Sequence, residues 1–111
     1  MSFGKMNVFA EIKQERTIKD RDGFSVKTEE TLASIRCYRE GRHGSERWAN
    51  LATFSEATDL FRFRMIPGVS VTAGQYLICD NERYDIVSVE NVKGRGMYLE
   101  VLAKKAVASR G

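Results

Sequence analysis

Residues 75–89 read QYLICDNERYDIVSV, and this stretch decides the fold class. Two short runs rich in aromatic and β-branched residues, QYLIC (75–79) and RYDIVSV (83–89), flank Asp80-Asn81-Glu82, a tight hairpin signature. A chain that turns back on itself so quickly pairs its strands antiparallel. The same period-two pattern extends outward on both sides. Upstream, DLFRFRM (59–65) alternates Phe61, Phe63 and Met65 with Arg62 and Arg64. Ile66-Pro67-Gly68-Val69 then ends that strand, because proline cannot donate to a ladder and glycine admits the turn. Downstream, MYLEVLA (97–103) follows the Gly94-Arg95-Gly96 turn and places Met97, Leu99, Val101 and Ala103 on one face.

The N-terminal part repeats the theme. In MNVFAEI (6–12), Met6, Val8, Ala10 and Ile12 share a face opposite Asn7 and Glu11. The cluster KDRDG (19–23) signals a turn, with Gly23 free to take positive φ. Phe24 and Val26 open a second extended segment, and after the polar KTEET it resumes with Ala33, Ile35 and Cys37 facing one way. About six strands at short spacings predict an all-β domain, a small antiparallel barrel or sandwich. One segment departs from the pattern. After Ser45, a candidate N-cap, Trp48, Leu51 and Ala52 recur at helical spacing, which predicts a short helix over roughly 46–54 within a long loop at about 39–56.

Bulk properties narrow the classes. A chain of 111 residues forms one domain, 1–111, since two would each be too small to bury a useful core. With 42% hydrophobic and 30% charged residues it has a globular composition. No apolar run approaches the roughly 18 residues of a membrane span, and no secretory signal is evident. Cys37 and Cys79 lie far apart with a single histidine to assist them, too few ligands for a structural zinc. Both are expected to be small buried hydrophobes in a reducing cytoplasm, and no cofactor is expected. The charge of +3 is uneven: Lys93, Arg95, Lys104, Lys105 and Arg110 face only Glu100 near the C-terminus. Such a tail suits either nucleic acid or an acidic surface, or simply solvent.

The densest chemistry is REGRHGSERWANL (39–51), with His43, Ser45, Glu40, Glu46, Arg39, Arg42, Arg47 and Trp48. A nucleophilic triad needs a rigidly held base against the hydroxyl, and a glycine-flanked loop supplies no such support; no enzyme activity is expected. Gly41 and Gly44 with three arginines form a better anion-binding loop, although the spacing matches no phosphate-binding motif, and a soluble polar connection explains the composition equally. In DLFRFRM the rings and arginines occupy opposite faces, so the aromatics read as core and Arg62 and Arg64 as surface.

Residues 62–105 carry a more specific pattern: an R-x-R strand (Arg62, Arg64), a segment from Val71 to Ile78, a hairpin with Asn81, Tyr84, Ile86 and Val89, and a closing strand from Met97 to Ala103. In these features the chain resembles the small head–tail joining proteins of long-tailed phages, also called head-closure, stopper or adaptor proteins. Asp20 to Gly23 and the step Gly44, Glu46, Ala49 fit the first half more loosely, and Ala33-Ser34 replaces the family's usual aromatic-alanine pair. The resemblance implies a structural protein in a twelvefold homo-oligomeric ring below the portal, at the head–tail interface of the virion. Such a ring closes the DNA channel and offers the tail its docking surface, with portal and tail proteins as partners; subunits would be made in the host cytoplasm and be monomers when isolated. It implies that Arg39, Arg42, Arg47 and His43 sit on a channel loop facing DNA non-specifically, hinged at Gly41 and Gly44. Arg62, Arg64 and Trp48 are then interface candidates. Two alternatives stay open: a stand-alone nucleic-acid-binding barrel driven by the basic C-terminus, and a tail-completion protein of similar fold.

Overall fold

The computed structural model describes residues 6–41, 56–94 and 96–106. Six strands form: β1 (Val8–Lys19), β2 (Ser25–Gly41), β3 (Asp59–Arg64), β4 (Tyr76–Cys79), β5 (Glu82–Asn91) and β6 (Tyr98–Lys105), with a 3-10 turn at Val92–Gly94. They close into an antiparallel barrel in the order β1-β2-β3-β6-β5-β4, so the barrel alternative holds over the sandwich. The short helix expected at 46–54 lies outside the described residues.

Alternation builds the core. Ala10 and Ile12, Cys37, Phe61 and Phe63, Leu77 and Cys79, Tyr84 and Ile86, and Leu99, Val101 and Ala103 all point inward and are buried. Phe61 meets Tyr84 edge to face with centroids 5.2 Å apart. Two expectations at strand ends are corrected. Met65 and Met97 do not join their strands' buried faces; they are 36% and 54% exposed. β3 stops at Arg64, and Met65 donates its N–H to the Met97 carbonyl (2.9 Å) where the barrel wall already ends.

The interrupted pattern in the second segment has a physical cause. Ile12 pairs with Ala33 but Lys13 pairs with Thr31, so Leu32 is the extra residue of a β-bulge. One inserted residue shifts the phase: Ala33, Ile35 and Cys37 continue the β1 partner's inner face on one side of it, and Phe24 and Val26 do so on the other. β2 is therefore one strand of 17 residues. A second shift, between Ile86 and Ser88, leaves Val87 unpaired and 39% exposed.

The strands are staggered. β4 bonds to β1 only at Glu11, Ile12 and Lys13, and β3 bonds to β2 only from Tyr38 to Gly41. The remainder of the β1–β2 hairpin extends past the barrel as a two-stranded ribbon, about 20 Å long at roughly 3.3 Å per residue. Its turn is held by Asp20, whose Oδ1 accepts from the backbone N–H groups of Asp22 and Phe24, with Gly23 at φ +84°.

Candidate functional site

The end of the barrel where β2 finishes at Gly41 and β3 begins at Asp59 is built around Arg39. By the parity of β2 its side chain turns towards the barrel's interior, as does that of Asp59 on β3. Arg39 Nε donates to Asp59 Oδ2 (3.0 Å), its NH1 lies 3.7 Å from Asp80, and its guanidinium sits 5.2 Å from the centre of the Tyr84 ring. Thr58 donates from Oγ1 to Asp59 and accepts there from the Lys105 N–H, while its own N–H reaches the Ala103 carbonyl. Arg39 thus plugs this barrel mouth, its charge answered by two carboxylates. Burial pushes the neighbouring Cys37 thiol up to about 12, with Cys79 adding to the effect; burial also raises Cys79. Both thiols are buried and free, as expected of small apolar residues. Tyr84 is pushed to about 12 by burial despite the lowering influence of Arg39.

Arg62 corrects the sequence reading. It faces outward from β3, yet it is only 6% exposed. Its Nε donates to Glu100 Oε2 (2.9 Å) and its NH2 forms an ion pair with the same carboxylate, directly opposite on β6. Tyr38 lies across the guanidinium at 5.6 Å. The reason is that the outward faces of β2, β3 and β6 are themselves apolar: Leu60 and Ala57 form a second buried cluster with Tyr38 and Leu102 packed on it. A cation there loses water and needs a partner in register. Nothing in the local sequence marks Glu100 as that partner.

Arg64 is exposed and borders a cleft of about 440 Å³ with Met6, Ile35, Arg36, Met65, Ile66 and Pro67. A cation rimming an apolar cleft is a suitable contact surface. Gly41 closes β2 in register with Asp59, in a conformation that does not require glycine. Arg42, His43, Gly44, Arg47 and Trp48 lie outside the described residues. Among the described residues, no group of three or more His, Cys, Asp or Glu is placed to hold a metal.

Sequence reasoning missed the ribbon. Its base is clamped to the barrel: the Tyr76 hydroxyl donates to Glu29, Arg83 stacks 3.9 Å from the Tyr76 ring centre and pairs with Glu15 (3.4 Å), and Lys13 approaches Glu29. Beyond that base, Ile18, Phe24 and Val26 are 47%, 70% and 41% exposed.

Comparison with known proteins adds the following. The chain matches the family described as phage head completion protein over residues 1–106. Among solved structures it is similar to protein SF1141 from Shigella flexneri 2a, with a TM-score of 0.74 at 12% identity, covering 98% of this chain and 100% of that one. It is also similar to a chain of the virion of a native gene transfer agent particle, with a TM-score of 0.55 at 16% identity, covering 92% and 96%. At these identities the structural likeness concerns the fold. No curated protein matches the chain.

Proposed function

Because the chain belongs to the phage head completion protein family, a family of structural virion proteins, we propose that it docks as a ring below the portal, closes the DNA exit channel after packaging and presents the tail's attachment surface. The observation that carries this reading is the pinning of both feet of the excursion. Gly41 and Asp59 are paired across β2 and β3, and Arg39 and Thr58 tie the same two points to Asp59, Asp80 and the end of β6. The two ends of the intervening segment are therefore held at one place on the barrel wall, and in this reading that segment is the arm that carries Arg42, Arg47 and His43. Repeated around a ring, such cations would meet phosphates without reading sequence, many weak contacts adding up through symmetry.

In this assignment Arg42 and Arg47 face DNA or a neighbouring subunit, His43 accompanies them, and Arg39 holds the arm's foot. Gly44 gives the arm its hinge, Gly41 being held in the ladder opposite Asp59 instead of serving as the second hinge, and Arg64 and Trp48 belong to contacts between proteins. The test is an Arg42→Ala/Arg47→Ala variant supplied to heads lacking the wild-type protein. Such heads should package DNA and then lose it to nuclease. Fully sealed, infectious particles would refute the channel role. Salt-dependent binding of the isolated protein to DNA, with no binding to portal-bearing heads, would favour the nucleic-acid-binding barrel instead.

A further inference from the structure

The β1–β2 ribbon has two backbone edges that no described strand covers. Asp20 donates its N–H to the Phe24 carbonyl (2.9 Å), which sets the even-numbered residues as those bonded across the hairpin. By the alternation of an antiparallel ladder, Glu15, Thr17 and Lys19 turn their N–H and C=O groups out along the β1 edge, and Ser25, Lys27 and Glu29 along the β2 edge. Such edges invite another strand. The distal part of one face of the ribbon is also apolar, because Ile18, Phe24 and Val26 continue the barrel's inward side beyond the point where the barrel ends, while nearer the barrel the same face carries the Arg16–Glu30 ion pair (3.1 Å). An isolated two-stranded ribbon is marginal in water.

The charges on the ribbon point to an occupant. Within the hairpin Glu15 sits directly opposite Glu29; each meets one cation at the ribbon's base, Arg83 (3.4 Å) and Lys13 (3.9 Å), and both stay half exposed. Lys27 has no ion-pair partner among the described residues and lies opposite Thr17. We infer that ribbons of neighbouring copies pair edge to edge, β2 of one subunit against β1 of the next, with Lys27 opposite Glu15 and Phe24 opposite Ile18. The register follows from elimination. Only even offsets keep the apolar faces together. Level ribbons would set Glu29 against Glu15 again. An offset of two residues one way sets Lys27 against Lys19 and Ile18 against Thr28. The same offset the other way unites Lys27 with Glu15 and Phe24 with Ile18, while Ser25 and Thr17 bond through their outward backbone groups. Because the two edges belong to different strands, the contact is head-to-tail and propagates around a ring. The inference rests on the assembly reading above, of which it names one interface.

Residues 18 and 24 would form a non-hydrogen-bonded pair with Cα atoms about 4.5 Å apart, inside the disulfide range of roughly 4.4–6.8 Å. The native thiols are buried and leave a low background. Heads completed with a mixture of differently tagged Ile18→Cys and Phe24→Cys proteins are oxidised and run without reductant. A dimer containing one of each, absent when either variant is used alone, is the expected result. Glu15→Lys should abolish that dimer and Lys27→Glu should restore it in the doubly exchanged pair, with thermal melts checking that each variant is folded. Heads that contain both variants and give no mixed dimer overturn the ribbon pairing and leave the assembly reading intact. Self-cross-linking of one variant, or cross-linking to a different virion protein, also overturns it. Absence of the protein from completed heads overturns the assembly reading and the inference together.

Discussion

Removing the carboxylate of Glu100 tests the most unusual contact in the barrel wall. Glu100→Ala leaves the Arg62 guanidinium facing outward into an apolar layer, with 7% of its side chain exposed and Tyr38 across it. Breaking a buried pair from one side costs about 3–5 kcal/mol, because the remaining charge keeps its desolvation cost and loses the carboxylate directly opposite it. A domain of this size has a total stability of about 5–15 kcal/mol, so the variant forfeits a large part of it. An unfolding entropy of roughly 2.1 cal/mol/K per residue gives about 0.23 kcal/mol/K for 111 residues, and hence a fall in Tm of about 13–21 °C. Replacing both partners, Arg62→Met with Glu100→Leu, removes the charges together and should return stability to within about 1 kcal/mol of wild type or above it. Urea unfolding of wild type, Arg62→Met, Glu100→Leu and the double variant, followed by far-UV circular dichroism, gives the coupling directly. A single-variant loss under about 1 kcal/mol, typical of a solvated pair, would refute the burial argument. So would a double variant as unstable as the single one.

Two further predictions follow from the core and the central hairpin. Asp80 and Asn81 sit at φ 52° and 64°, so Asn81→Gly should be tolerated, whereas Asn81→Val, a β-branched residue in left-handed backbone, should cost about 1–2 kcal/mol in chemical denaturation. Burial raises Cys37 to about 12 from an ordinary 9.0, and burial together with the Glu29 hydrogen bond raises Tyr76 to about 12 from 10.0. These groups ionise more readily when unfolded, so their stabilisation is complete below pH 9 and is lost as pH rises towards 12. Denaturation midpoints should therefore fall from about pH 9 upward, and thiol labelling at pH 8 should proceed only at the rate of unfolding. Rapid labelling of native protein would contradict the burial of Cys37.

The chain alone determined the strands and their faces. Alternation in DLFRFRM and MYLEVLA, and the Asp80-Asn81 turn, are local signals whose cause lies within a few residues, because side chains in a strand alternate whatever the strand packs against. The buried cysteines and the barrel-forming family pattern were legible for the same reason. The tertiary structure decided which outward faces stay dry and where each strand's partner ends. Arg62 looked like surface because its alternation is that of a solvated residue. It is buried because Leu60, Tyr38 and Leu102 gather around it from three strands, and Glu100 answers it across a ladder 38 residues away. Arg39 looked like the start of a mobile cationic loop. It is the plug of a barrel mouth, because bulge and register turn it inward to meet Asp59. The ribbon arises from stagger, a property of six strands closing together. A period-two pattern fixes which way a side chain points; only closure of the barrel fixes whether anything lies there to meet it.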